Sequence, residues 1–130
     1  MRSRIIGGSL VLLALGLMAA RTSAAPALKW AIVNLKDTTI IAGAFVSGPV
    51  VFVHDDEKMA RGGPCTSVHE FDKKTGIGKE IVAFHCKPRW TKAPDRFIQA
   101  TATRADGPRV MTEYQFAGDA EAHGVPVKAQ

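Results

Sequence analysis

The amino-acid sequence predicts an all-β fold, an antiparallel β-sandwich or small barrel of about seven short strands with one short helical turn. After residue 24, short runs rich in β-branched and aromatic residues are separated by Gly, Pro and Asp. No apolar pattern of helical period is sustained over about ten residues. Strands do not alternate with helices, and the connections are short, which favours antiparallel pairing.

Seven runs have the composition and length of strands, at residues 29–35, 38–46, 50–54, 66–71, 79–86, 97–103 and 110–116. The Ser-Gly-Pro sequence at 47–49 and the Asp-Gly-Pro sequence at 106–108 predict turns between neighbouring strands. Residues 55–64 predict the helical turn, with Asp55 as its N-cap and the Gly-Gly-Pro sequence at 62–64 as its end.

Residues 1–24 have the three parts of a secretory signal peptide. Arg2 and Arg4 form a basic start, an apolar run follows from 5 to 20, and Ala24 ends a segment of small side chains suited to cleavage. The alternative is a retained membrane helix, which the three glycines of the apolar run weaken. Cleavage leaves residues 25–130 as a single exported β domain, with a loose C-terminal tail from about Gly118.

The charge of the chain argues against nucleic acid as a partner. The full sequence has 17 basic and 12 acidic residues, a formal net charge of +5. Three of the basic residues, Arg2, Arg4 and Arg21, lie in the predicted signal peptide, so the exported domain is only weakly basic. We therefore expect a secreted or periplasmic protein with no nucleic acid partner and no membrane span after cleavage. An envelope protein or a small ligand is a possible partner.

Cys65 and Cys86 predict one disulfide, because exported proteins meet an oxidising compartment. If the strands on either side of the loop at 72–79 pair with Phe71 opposite Glu80, the same register sets Cys65 opposite Cys86. Directly opposed residues in antiparallel strands lie within the distance that a disulfide tolerates. The alternatives are redox catalysis or metal binding by the two cysteines, which their wide spacing does not favour.

Histidines provide the second candidate chemistry, a copper or zinc site. Imidazole and thioether groups bind such ions, and the candidate ligands are His54, Met59, His85 and His123. No two histidines have a ligand-like spacing, so the site would have to assemble through the fold. His69 is expected far from Cys65 along its strand, and His85 on the opposite face from Cys86.

A polar cluster at the end of a predicted strand is a candidate binding surface. Together with nearby exposed positions, it comprises His54, Asp55, Asp56, Met59, His85 and Trp90. A weaker alternative is an enzyme that uses Asp55 and Asp56 as an acid pair. No catalytic motif and no cofactor-binding motif is recognised, so catalysis is not expected and no cofactor is predicted.

Several short segments resemble a group of small exported bacterial proteins that are uncharacterised. These segments are FVHDD followed by KM at 52–59, GPC at 63–65, FHC-x-P at 84–88, FAG at 116–118 and HGVP at 123–126. The resemblance implies an exported β-rich domain and supplies no catalytic residue. The sequence thus predicts a non-catalytic binding or structural module held by one disulfide, and a periplasmic copper- or zinc-binding protein as the alternative.

Overall fold

The computed structural model describes residues 28–129 and confirms the all-β class, including one short helical turn. The predicted signal peptide lies outside the described residues. Eight strands form one mixed sheet that is not closed into a complete barrel. Within residues 28–129, no helix is both long and apolar enough to cross a membrane.

The elements follow one another along the chain with short connections. They are β1 (Leu28–Ile41), β2 (Ala44–Asp55), α1 (Asp56–Ala60), β3 (Thr66–Asp72), β4 (Gly76–Phe84), β5 (Lys87–Trp90), β6 (Ile98–Ala102), β7 (Arg109–Gln115) and β8 (Glu121–Gly124). The sheet order is β4-β3-β2-β1-β7-β8-β5, and β6 pairs with β7 outside this path. The pairing of β1 with β7 is parallel and short, whereas every other pairing is antiparallel.

The first hairpin turns at Ala42 and Gly43, so the predicted turn at 47–49 is wrong. Ala42 and Gly43 both have positive φ, 47° and 86°, as in the two-residue turns that match the twist of paired strands. Gly48 and Pro49 lie inside β2, where they pair with Leu35 and Asn34 just before the register of β1 shifts. The Gly-Pro signal therefore marks an irregularity within a long strand pair.

The second hairpin pairs β3 with β4 as predicted, but in a different register. Thr66 lies opposite Phe84, and two register shifts around His69 separate this pairing from that of Asp72 with Gly76. The loop is tighter than predicted because the Asp72 carboxylate accepts the N–H groups of Lys74 and Thr75. The predicted opposition of Cys65 and Cys86 is thus wrong by one residue, and both cysteines lie just beyond the strand ends.

Asp55 caps helix α1 as the sequence predicts. Its side chain accepts the N–H groups of Glu57 and Lys58, at 3.0 and 3.1 Å. Gly62, with φ of 81°, follows the helix and accepts the left-handed conformation that ends it. The helix begins immediately after the last residue of β2, whose N–H donates to the carbonyl of Cys65 at 2.8 Å.

The sheet is strongly rolled, because the chain passes from one end of it to the other within a few residues. Strand β4 ends at Phe84 and β5 begins at Lys87, yet these strands occupy opposite ends of the sheet order. In a flat sheet the two would lie about 29 Å apart, whereas three extended residues span only about 10 Å. The two ends of the sheet therefore meet at residues 85 and 86.

The rolled sheet encloses an apolar core in which strands far apart in the sheet order touch. Thr66 of β3 and Tyr114 of β7 share a buried hydrogen bond between their hydroxyl groups. The Tyr114 ring also lies 5.1 Å from the ring of Phe52. The buried cluster draws on β1 to β4 and β7 and on the residues that directly follow β1 and β7: Leu35, Ile41, Ala42, Val46, Val50, Phe52, Val68, Val82, Phe84, Met111, Tyr114 and Phe116.

The segment after Gly118, predicted as a loose tail, contains β8 and a further contact with the first hairpin. Strand β8 pairs with β7 on one side and with β5 on the other. The N–H of Ala129 donates to the carbonyl of Ala42 at 2.8 Å. The short polar sequence of β8 thus lies between β7 and β5, one strand from the end of the sheet.

The hydrogen bond between Thr66 and Tyr114 can be tested by a double-mutant cycle. We expect Tyr114→Phe to lower the free energy of unfolding by about 1–3 kcal/mol, since the Thr66 hydroxyl then stays buried without that partner. Thr66→Val should cost a similar amount, and the double variant should cost less than the sum. Urea unfolding measures all four proteins. Strictly additive losses would contradict the role of this bond in holding the roll.

Candidate metal centre

The structure brings together two of the four predicted metal ligands. His54 and His123 are 1% and 0% exposed, and their ring centroids lie 4.3 Å apart. Met59 is 47% exposed at the end of α1, and His85 is exposed between the strands. His69 bonds to Gly78 and Ser67 within its own hairpin. The histidine pair is therefore the candidate site.

The predicted disulfide between Cys65 and Cys86 is confirmed, and it adjoins the histidine pair. The two α-carbons are 6.3 Å apart. Cys65 is buried and Cys86 is partly buried. His85, which directly precedes Cys86, is exposed, as expected for a neighbour that points to the opposite face. The N–H of Cys86 donates to Sγ of Cys65 at 2.9 Å, which fixes the short turn between the two sheet ends.

The inner ring nitrogens of both histidines converge on one sulfur atom. Nε2 of His54 and Nδ1 of His123 each lie 3.6 Å from Sγ of Cys86. Two groups of three residues each have ligand atoms that all lie within 4.8 Å of one another. One group comprises His54, Cys65 and Cys86, and the other comprises His54, Glu121 and His123. Two overlapping sets of metal ligands thus share His54.

The fold positions each histidine through strand alternation and aromatic packing. His54 follows Phe52 on the inward face of β2, so its ring continues the core toward the end of the strand. His123 pairs with Tyr114 across β7 and β8, and the two rings stack at 4.9 Å. Phe116 closes the other side, with its centroid 5.9 Å from that of His123.

The outer ring nitrogens each face a carboxylate without a formed hydrogen bond. Nδ1 of His54 lies 3.4 Å from Asp56, and Nε2 of His123 lies 3.6 Å from Asp119. Both nitrogens are buried, and within the described residues neither has a hydrogen-bond partner. Lys29 donates to the Asp119 carboxylate at 2.8 Å, and the Glu121 N–H donates to it at 3.0 Å. Asp119 is therefore held beside His123 from two directions.

Burial keeps both imidazoles neutral. It lowers the pKa of His123 to about 4, and the adjacent His54 acts in the same direction, against the attraction of Asp119. Burial also lowers the pKa of His54, although Asp56 and Glu121 oppose this shift. For Asp119, burial favours the neutral acid, but the hydrogen bonds from Lys29 and the Glu121 N–H lower its pKa overall. At neutral pH the site thus has two neutral imidazoles beside an ionised carboxylate.

Of the carboxylates at the site, Asp56 is a candidate from the sequence, but Asp119 and Glu121 are not. Glu121 lies 3.7 Å from Nδ1 of His123, and Asp119 lies near the opposite nitrogen. The signal was present as alternating acidic residues two and four positions before His123. The predicted binding surface of His54, Asp55, Asp56, Met59, His85 and Trp90 remains a prediction. The side chain of Asp56 is 48% exposed and the residue Trp90 is 75% exposed.

No protein-family model, no curated protein and no solved structure matches the chain. The resemblance to small exported bacterial proteins therefore remains an expectation from the sequence. The geometry of the histidine pair carries the functional argument.

The low pKa of His123 predicts a loss of stability in mild acid. As pH falls from about 6.5 to about 4, the unfolded His123 binds a proton that the folded protein excludes, so unfolding becomes more favourable. We expect the thermal midpoint of the native protein to fall at least about 10 °C more over this range than that of His123→Gln.

Thermal unfolding monitored by circular dichroism measures this difference, and His85→Gln is the matched control at an exposed position. An equal acid-induced loss in the native protein and in His123→Gln would contradict the burial of a neutral imidazole. An NMR titration of the His123 ring gives an independent reading, with an expected midpoint near pH 4.

Proposed function

We propose that this protein is an exported, non-catalytic metal-binding module that holds one zinc or copper ion between His54 and His123. The observation that carries the proposal is the convergence of two fully buried, neutral imidazoles, whose inner nitrogens share one neighbouring atom at 3.6 Å. Glu121 is the third ligand while the disulfide is intact. A ligand set of two histidines and one glutamate leaves a coordination position for water or an exogenous ligand.

Packing alone is a poor reason to bury two imidazoles here. If the outer nitrogens carry the protons, the inner lone pairs face a disulfide sulfur, which has no proton to donate. If the inner nitrogens carry the protons, lone pairs of the outer nitrogens face Asp56 and Asp119. Either arrangement leaves buried polar atoms poorly paired, at a cost of about 1–3 kcal/mol each. A bound cation relieves this cost by accepting the inner lone pairs.

The carboxylates behind the rings favour metal binding over a structural role. Histidines that bind metals commonly donate their second N–H to a carboxylate, which sets the tautomer and makes the ring a better ligand. Asp56 and Asp119 stand at this position for His54 and His123, respectively. Their contact distances of 3.4 and 3.6 Å are slightly long, and a small rotation of each ring would complete the bonds.

The ligand types favour zinc or copper. Imidazole nitrogen with carboxylate oxygen suits Zn²⁺ and Cu²⁺, whereas Mg²⁺ and Ca²⁺ require mostly oxygen ligands. The side chains of Asp56 and Glu121 are 48% and 22% exposed, so a cation has an anionic route from solvent to the rings. Binding rather than catalysis is proposed because each carboxylate of the site already has a role: Asp56 and Asp119 support the rings, and Glu121 binds the ion.

Export is part of the proposal. The predicted signal peptide at residues 1–24 and the Cys65–Cys86 disulfide both fit a periplasmic or secreted protein, since disulfides persist in oxidising compartments. Membership of the group of exported bacterial proteins sharing the FVHDD and FHC segments is proposed on the same grounds. A small module of this kind would bind a metal in the envelope and hold it away from other ligands.

Metal titration of the exported, untagged protein with its disulfide intact tests the proposed function. We expect about one Zn²⁺ per chain by isothermal titration calorimetry, and affinity at least about 100-fold weaker in His54→Gln and in His123→Gln. His69→Gln and His85→Gln are matched controls that keep the native affinity. Absence of zinc and copper binding, or equal loss in all four variants, would refute the proposal.

Asp119→Asn tests the carboxylate behind His123 separately from the ligands. The amide still fits the position, but it loses the charge that supports the ring, so Zn²⁺ affinity should fall about 10- to 100-fold. Asp95→Asn, at an exposed position outside the site, is the control. Native Zn²⁺ affinity in Asp119→Asn would show that this carboxylate does not support the metal site.

A further inference from the structure

The disulfide belongs to the same constellation as the histidines. Sγ of Cys86 lies 3.6 Å from the inner nitrogen of each ring, and ligand atoms of His54, Cys65 and Cys86 all lie within 4.8 Å of one another. Closing the hairpin does not by itself explain why a disulfide sulfur lies against two buried imidazoles. Its two sulfurs, once reduced, are themselves strong ligands for zinc and copper.

The spacing matches a tetrahedral site. With zinc–sulfur bonds of about 2.3 Å and zinc–nitrogen bonds of about 2.05 Å, the sulfur-to-nitrogen edge of a tetrahedron is about 3.6 Å. Both measured distances from Cys86 to the imidazole nitrogens equal this edge. Cys86 thus lies at the sulfur-to-nitrogen distance of such a site from each ring, and binding of one ion requires the two imidazole nitrogens to close around it. Cys65 supplies the fourth ligand after its sulfur separates from that of Cys86.

We propose that the Cys65–Cys86 disulfide is a redox switch that converts the metal site between two ligand sets. In the oxidised protein the ligands are His54, His123 and Glu121. In the reduced protein they are His54, His123, Cys65 and Cys86, a closed set that binds zinc much more tightly. This inference rests on the proposed function and adds its regulation.

The switching step requires a dithiol reductant, such as a reduced thioredoxin-like protein. Its thiolate attacks Sγ of Cys86, breaks the bond to Cys65 and forms a mixed disulfide; its second thiolate then releases Cys86 as a thiolate. The reductant leaves as a disulfide, and the two protons that its thiols gave up pass to the Cys65 and Cys86 thiolates, so two electrons and two protons are transferred and both cysteines become thiols. Zinc binding to the two cysteines then releases two protons. Oxidation reverses the exchange and returns the ion to the weaker set.

The structure favours this direction of attack. Cys86 is partly buried and lies at the junction of the sheet ends, whereas Cys65 is only 3% exposed. The leaving sulfur of Cys65 accepts the N–H of Cys86 at 2.9 Å, and such a bond stabilises a thiolate over a thiol. Cys86 is thus the more accessible cysteine and the one that the reductant attacks, and Cys65 is the leaving group.

The test compares Zn²⁺ affinity of the exported full-length protein in its oxidised form and after anaerobic reduction with a phosphine. We expect reduction to tighten binding at least about 100-fold, with one ion per chain. Replacing Zn²⁺ by Co²⁺ in the reduced protein should produce thiolate-to-cobalt charge-transfer absorption. The oxidised protein should lack this absorption. Oxidation of the zinc-loaded form by diamide should lower its Zn²⁺ affinity to that of the oxidised protein as the disulfide forms.

The double variant Cys65→Ser with Cys86→Ser is the matched control, because it keeps both histidines and Glu121. It should bind Zn²⁺ with the affinity of the oxidised protein, whether or not reductant is present. Circular dichroism monitors folding, and a reduced chain that refolds on adding Zn²⁺ also supports the switch.

The two proposals fail in different ways. Equal Zn²⁺ affinity of the oxidised and reduced proteins, or a reduced protein that stays unfolded with Zn²⁺, overturns the switch and leaves the proposed function standing. If the reduced protein binds Zn²⁺ and the oxidised protein does not, the proposed function at His54, His123 and Glu121 is overturned. A reduced protein whose Zn²⁺ binding survives both His54→Gln and His123→Gln also overturns the switch as proposed here.

Discussion

The short step from Phe84 to Lys87 determines how the whole sheet folds. Because these residues belong to strands at opposite ends of the sheet order, the sheet must roll until its ends meet. The roll brings β8, which lies next to the far end, against the residues that follow β4. The core can then close around Tyr114, which touches both Phe52 and Thr66 from a distant strand. The disulfide holds the β3 side of this junction to Cys86.

The same constraint concentrates polar chemistry at the junction. His54 comes from the end of β2, Cys86 from the connection between β4 and β5, and His123 from β8. Each of these residues alone has an ordinary explanation in a small β domain. Together, in a space closed by Tyr114 and Phe116, they place two neutral imidazoles on one sulfur. The carboxylates lie on the outer side of the rings, where charge remains partly solvated and can guide a cation inward.

The class of fold and the disulfide could be predicted because they depend on local signals. Strand composition, the Asp55 cap and the presence of two cysteines are each readable over a few residues. The register of the β3–β4 hairpin was not readable, because Asp72 closes the loop early and two shifts around His69 change the alignment. Strand β5 was missed because it is short, exposed and contains Pro88.

The candidate site could be predicted only as a set of possible ligands. His54 and His123 are far apart in sequence, and His123 lies in a polar segment that resembles a tail rather than a strand. Their meeting depends on the roll of the sheet at the step from Phe84 to Lys87, which brings β8 to the end of β2 and has no local signature. Glu121 and Asp119 could not be recognised from the sequence either, because only the placement of β8 brings their carboxylates to the ring of His123.

The most direct measurement is an anomalous diffraction experiment on crystals of the oxidised protein grown with zinc. Data collected on both sides of the zinc absorption edge locate the ion without reference to its expected position. The account predicts one peak in bonding contact with Nε2 of His54 and Nδ1 of His123. A peak at exposed groups such as His85, with none between the two buried rings, would contradict the metal centre on which the functional account depends.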